Sequence, residues 1–111
     1  METLKKTSEF SFIYNKGEKV YTKYTIIFIK KTSEQKFGFV TSKKTGNAVK
    51  RNRLRRIFRS VIRIDIDKFD KNHSYVIVAK KNCQDDFDIL NYNILRKDIL
   101  QGIKKYEKNI T

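Results

Sequence analysis

Thr41-Ser42-Lys43-Lys44-Thr45-Gly46-Asn47-Ala48-Val49-Lys50-Arg51-Asn52-Arg53-Leu54-Arg55-Arg56-Ile57-Phe58-Arg59 is the stretch from which the rest of the chain is read. Gly46 and Asn47 break whatever precedes them, and from Ala48 to about Asp65 the apolar residues take a helical period. At about 100° per residue, Leu54, Ile57, Phe58, Val61 and Ile62 gather on one stripe, while Asn52, Arg56, Arg59 and Arg63 fall on the opposite side. Such a helix has a core face and a cationic face, so it must lie on another apolar layer.

The flanking segments supply that layer. From Val20 the residues become β-branched and aromatic: Tyr24, Ile26 and Phe28 alternate with Thr25, Ile27 and Ile29, as in a strand covered on both faces. Lys30 to Lys36 is a polar turn, after which Phe37-Gly38-Phe39-Val40-Thr41 is expected to return antiparallel and close a hairpin. Farther out, Ser8 stands as an N-cap, and Phe10, Ile13 and Tyr14 fall at i, i+3 and i+4 before Gly17, which predicts a first helix over about 8–16. Beyond the central helix, residues 67–72 read as a polar linker and Ser74 to Ala79 as a strand. Asp85 or Asp86 is then expected to cap a last helix with Phe87, Leu90, Ile94, Leu95, Ile99, Leu100 and Ile103 as its core stripe. Its acidic start and Lys104, Lys105 and Lys108 near its end suit the helix dipole. The order is α-β-β-β-α-β-α, an α+β fold in which helices pack a small mixed sheet. No repeat, proline-rich linker or low-complexity tract divides the chain, so residues 1–111 are expected to form a single domain.

The chain of 111 residues carries 26 Lys+Arg against 12 Asp+Glu, a formal charge of +14 at pH 7. That much charge on a body of about 13 Å radius of gyration repels itself unless an anionic partner compensates, so a polyanion is expected. No run approaches the roughly 18 apolar residues of a membrane-spanning helix, and no apolar signal segment follows Met1-Glu2-Thr3-Leu4-Lys5-Lys6. A single cysteine, Cys83, fits a reducing compartment and provides no cysteine zinc framework. A cytoplasmic location and no membrane partner are expected.

Catalytic chemistry is hard to find. One His and one Cys, His73 and Cys83, flank the same strand, and no third group is evident to orient such a dyad. Asp65, Asp67 and Asp70 alternate as calcium ligands can, but counting from Asp65 the sixth position is Asp70 where such a loop needs Gly, and the twelfth is Val76 where it needs Glu. They read instead as a solvated linker. Gly46 lies near lysines without the spacing of a nucleotide-binding loop. No catalytic residue and no metal site is expected in the protein.

The charge is concentrated. From Gln35 to Ile64 there is no acidic residue, whereas Lys36, Lys43, Lys44, Lys50, Arg51, Arg53, Arg55, Arg56, Arg59 and Arg63 all lie in that span. Arginine is favoured over lysine through the helix, and a planar guanidinium grips two phosphate oxygens at once. Nucleic acid is therefore the expected partner. The Ser-Lys-Lys, Gly-Asn-Ala-Val and Arg-Asn-Arg block over residues 42–53, with the basic residues after it, closely resembles the signature of the bacterial ribonuclease P protein subunit. The resemblance extends to Leu4-Lys5-Lys6, Glu9-Phe10, Tyr14-Asn15-Lys16-Gly17 and Tyr75-Val76-Ile77-Val78-Ala79-Lys80-Lys81.

This resemblance implies a left-handed crossover joining parallel strands, and a protein that works with a large catalytic RNA to remove 5′ leaders from precursor tRNA. In such a ribonucleoprotein endoribonuclease the RNA hydrolyses the phosphodiester with magnesium, which the RNA mainly binds. Carried onto matching positions, Lys43, Lys44, Asn47, Lys50, Arg51, Asn52, Arg53, Arg55, Arg56, Arg59 and Arg63 would contact the catalytic RNA. Of these, Lys50 lies nearest the apolar stripe. The single-stranded leader would lie between the first helix and the sheet, with Phe10, Tyr14, Tyr24, Phe28 and Phe39 as candidates for stacking. One-face aromatics also suit a plain core, and both readings stay open for these five. A ribosomal-type structural RNA binder is the alternative. A DNA partner is not expected, since no helix-turn-helix partner precedes the basic helix.

Overall fold

The computed structural model describes residues 1–110. Its helices are α1 (Thr7–Lys16), α2 (Ala48–Ile64), α3 (Asn82–Asp85) and α4 (Tyr92–Ile110), and its strands are β1 (Glu18–Tyr21), β2 (Thr25–Lys31), β3 (Phe37–Val40) and β4 (His73–Ala79). The expected α+β order is present, with the short α3 added before α4. The radius of gyration is 13.1 Å.

The strands lie in the order β1-β2-β4-β3. The expected hairpin between β2 and β3 does not form; the hairpin is β1 with β2, in the register Val20 to Ile27. Strand β4 enters between β2 and β3, antiparallel to the first through Ile27 and Ile77, and parallel to the second through Phe39 and Ile77. The reason lies in burial. Seven-residue β4 is apolar on both faces and suits a central slot, whereas β3 has four residues, one of them Gly38, and suits an edge. That edge is partly covered: Phe37 N–H donates to the Glu2 carbonyl at 2.9 Å, and Leu4 N–H to the Phe37 carbonyl at 2.8 Å.

Both faces of the sheet are used. On one, Leu54, Phe58, Val61 and Ile62 of α2 and Leu95, Ile99 and Ile103 of α4 meet Val20, Ile27, Ile29, Phe37, Tyr75 and Ile77. On the other, α1 sets Ile13 against Val76 and Leu4, with Phe10 and Tyr14 at the margin. Gly38 permits that approach, since a Cβ there would stand 2.4 Å from the Phe10 ring. Full burial of an aliphatic or Phe side chain contributes about 1.5–3 kcal/mol, so the four buried α2 residues fix how that helix is rolled on the sheet.

Three local expectations are corrected. The N-cap of α1 is Lys6, not Ser8, and Glu9 accepts from the Lys5 and Lys6 N–H groups at 3.0 Å each. Asp85 and Asp86 do not cap the last helix: the chain makes α3 and a 3₁₀ turn over Phe87–Ile89 first, and Asn91 Oδ1 accepts from Ile94 N–H at 2.9 Å at the start of α4. Asp86 instead accepts from the Tyr24 hydroxyl at 2.8 Å. Nor is the segment after α2 wholly solvated, because Asp65 is buried and accepts from Arg96 Nε at 2.7 Å, tying α2 to α4. Asp98, also buried, accepts from the Thr22 hydroxyl at 2.5 Å and anchors the β1–β2 turn to α4.

The Lys5 and Lys6 amides and the Lys36 ammonium hold the Glu9 carboxyl down at about 2, from an ordinary value of 4.5. A depressed carboxylate adds stability that is complete above the unfolded value and disappears as pH falls through the folded one. Glu9→Gln is therefore expected to make acid unfolding less steep between pH 4.5 and 2, as followed by circular dichroism. An unchanged acid limb would remove Glu9 from the account.

Candidate nucleic-acid interface

The loop between β3 and α2 sets the entrance of the basic helix. Ser42 Oγ accepts from Lys44 N–H at 3.3 Å, closing a 3₁₀ turn that leaves Lys43 and Lys44 exposed. Gly46 then takes φ 122°, a conformation that side chains resist. Asn47 starts α2, its Oδ1 accepting from Lys50 N–H at 3.0 Å and its carbonyl from Arg51 N–H at 2.9 Å. Asn47 thus has a structural task at the helix entrance.

With the apolar stripe of α2 buried, Asn52, Arg53, Arg56, Arg59 and Arg63 face solvent. The flanking cations are propped. Toward β3, the Arg55 guanidinium donates to Thr41 Oγ1 and Asn52 Oδ1, and Arg59 lies 5.7 Å from the Phe39 ring centroid. Toward α3, Lys50 Nζ and the Arg53 guanidinium lie 5.0 and 5.7 Å from the Phe87 ring. Cation–π contacts leave guanidinium and ammonium N–H groups free while restraining the side chains. Arg51 is half-buried, and its Nε has no hydrogen-bond partner.

Among the described residues the ion pairs are Lys36 with Glu9, His73 with Asp70, and Arg96 with Asp65. None of these cations belongs to the 43–63 block, whose lysines and arginines have no acidic partner among the described residues. The surface is preorganised for anions and is not neutralised internally.

The expected aromatics divide between the two faces of the sheet. Phe10, Tyr14 and Phe28 come together beside α1, with centroids 6.4 Å apart for the first pair and 4.7 Å for the second. The register places Phe28, Val76 and Gly38 in one row under α1, and Tyr21, Ile26, Val78 and Val40 in the next. That second row is half-exposed or exposed, so α1 forms the wall of a shallow apolar trough and the row forms its floor. Lys19 Nζ stands 5.6 Å from the Phe28 ring at its side. Tyr24 and Phe39 lie elsewhere: Tyr24 is 4% exposed within the opposite core, and Phe39 sits under Arg59. Burial and the Asp86 hydrogen bond leave Tyr24 no open ring face, the bond pushing its phenol up to about 12. Tyr21 and Lys19 are not among the sequence candidates, although their parity opposite Val20 places them on this face.

Burial pushes the Cys83 thiol up to about 12, and its Sγ–H donates to the Tyr24 carbonyl at 3.3 Å, so it is a packing residue. Among the described residues no three His, Cys, Asp or Glu side chains cluster to hold a metal, and no helix is long and apolar enough to cross a membrane.

The sequence model of the Ribonuclease P family matches residues 1–107. The ribonuclease P protein component of Fusobacterium nucleatum subsp. nucleatum is 44% identical over 106 residues, spanning 94% of this chain and 96% of the relative. That of Desulforamulus reducens is 34% identical over 110 residues and 96% of each chain. Among solved structures, the RNase P protein from Thermotoga maritima superposes with a TM-score of 0.86 at 23% identity, covering 95% of this chain and 97% of that one. The Staphylococcus aureus RNase P protein gives 0.83 at 21% identity, with 96% and 95% covered. The two structures share the fold, and the family match with the two relatives shows that this chain belongs to the ribonuclease P protein family.

An unpaired cationic face predicts stabilisation by small anions. Sulfate is expected to raise the melting temperature above that in chloride of equal ionic strength, with about 2.7 kcal/mol gained at a hundredfold excess over Kd. Equal melting curves in the two salts would show that the face carries no net repulsion for an anion to relieve.

Proposed function

We propose that this member of the ribonuclease P family is the protein subunit of a cytoplasmic ribonucleoprotein that removes the 5′ leader from precursor tRNA. The catalytic RNA hydrolyses the phosphodiester with magnesium that it binds itself, and the protein, a single RNA-binding domain, holds RNA. The observation that carries this reading is the outward cationic face of α2, with no acidic partner for any of its arginines.

Two surfaces divide the work. Lys43, Lys44, Arg51, Asn52, Arg53, Arg55, Arg56, Arg59 and Arg63 track phosphates of the catalytic RNA, displacing its condensed counterions. Asn47 contributes by holding the helix entrance, whose free N–H groups and positive dipole end favour phosphate. Lys50, drawn onto Phe87, adds charge from the flank. The leader lies in the trough beside α1, stacking on Phe10, Tyr14 and Phe28, with Lys19 and the exposed Tyr21 extending the site toward β1. Stacking accepts any base, which suits a machine that meets many leaders. In this reading Phe39 serves Arg59, and Tyr24 serves the core.

Tyr14→Ala is expected to weaken binding of leader-bearing precursor by about 5- to 100-fold while leaving mature tRNA unchanged, in titrations of the assembled holoenzyme. Equal losses for both would remove the leader from the trough. Arg56→Ala is expected to lower affinity for the catalytic RNA and to reduce the log K against log salt slope by about 1. An unaltered slope would take Arg56 off the phosphate track.

A further inference from the structure

Where α2 meets the start of α4, a groove of about 590 Å³ is lined by Val49, Asn52, Arg53, Arg56, Ile57 and Tyr92. It shares Asn52, Arg53 and Arg56 with the phosphate track, and three features distinguish it from the rest of that track. Its walls are partly apolar: Val49 is 77% exposed, and Ile57 and Tyr92 are half-buried. Apart from the Ala48 methyl beside it, no other α2 side chain near the entrance is an exposed hydrocarbon, and a phosphate track gains nothing from one as large as Val49. Second, the Tyr92 hydroxyl is buried with no hydrogen-bond partner, a state that costs about as much as a lost hydrogen bond. Third, Asn52 spends its oxygen on Arg55, which leaves its NH₂ group unpaired at the groove among the described residues.

We infer that this groove receives one unstacked nucleobase of the bound RNA. The inference rests on the RNA-binding reading above. Val49, Ile57 and the Tyr92 ring provide the apolar bed on which a base plane lies. The Asn52 amide and the Tyr92 hydroxyl provide a donor and a donor-acceptor for its edge. Arg53 and Arg56 take the phosphates on either side of the inserted nucleotide. The charge fits a polyanion and the apolar floor fits only its bases, so the site selects an unpaired nucleotide and not a regular duplex, whose bases are stacked inside.

The test compares two synthetic RNA hairpins, one with a single unpaired adenine and one with uridine placed opposite it. The full-length protein is expected to bind the first about five- to tenfold more tightly, in line with one stacked base. Tyr92→Phe and Val49→Ala are each expected to narrow that preference at least twofold. Tyr92→Phe should leave the melting temperature of the free protein unchanged or raised, because the fold makes no use of the hydroxyl. Equal affinity for both hairpins, with steep salt dependence, would overturn the base site and leave RNA binding standing. Binding of neither hairpin at low salt would overturn both readings. A Tyr92→Phe protein that melts lower while keeping its preference would assign the hydroxyl to the fold and likewise overturn the site.

Discussion

The rotational setting of α2 on the sheet is the constraint from which the rest of the molecule follows. Leu54, Phe58, Val61 and Ile62 are fully buried on one side, and a helix turns about 100° per residue, so the opposite side must carry Asn52, Arg56, Arg59 and Arg63. The stripe therefore fixes two things at once: a core contact, and the direction in which the positive charge points. Asp65 and Arg96 then secure the far end of the helix to α4, and Asn47 with Gly46 sets the near end.

Concentrating charge in this way opposes folding. Several devices limit the penalty without neutralising the surface. Arg59 rests on Phe39 and Lys50 and Arg53 on Phe87, where a ring quadrupole offers partial compensation and no carboxylate pairs with these cations among the described residues. Four of the chain's acids are placed on tasks of assembly: Glu9 at the start of α1, Asp65 between α2 and α4, Asp86 on Tyr24, and Asp98 under the β1–β2 turn. A face kept free of acids at the expense of stability is a face reserved for an external anion.

What could be read from the residues, and what could not, divides along the range of the interactions. Local periodicity located α2, β4 and the cationic face, because each rests on neighbours within a few positions. Strand pairing is nonlocal, and the expected hairpin failed for that reason: nothing between Lys30 and Lys36 states that β4, some forty residues later, takes the place beside β2. The double apolar faces of β2 and β4 were the available sign that both are central. The Asp86 cap and the solvated reading of Asp65 failed because each carboxylate has a distant partner, Tyr24 for the first and Arg96 for the second. Of the five aromatics read as one set, three share the trough, and strand parity separates Phe39 from them; Tyr24, ahead of β2, is separated by its burial in the opposite core and its bond to Asp86.

The scaffold carries a cationic helix face on one side of the sheet and an aromatic trough on the other, the two surfaces proposed to hold RNA, with no clustered metal ligands among the described residues. The most direct test is cleavage of a 5′-extended precursor tRNA at near-physiological salt by this protein alone, by its cognate catalytic RNA alone, and by the two together. Efficient cleavage is expected only in the mixture, yielding the mature 5′ end. Cleavage by the protein alone, or a mixture no more active than the RNA, would contradict the account.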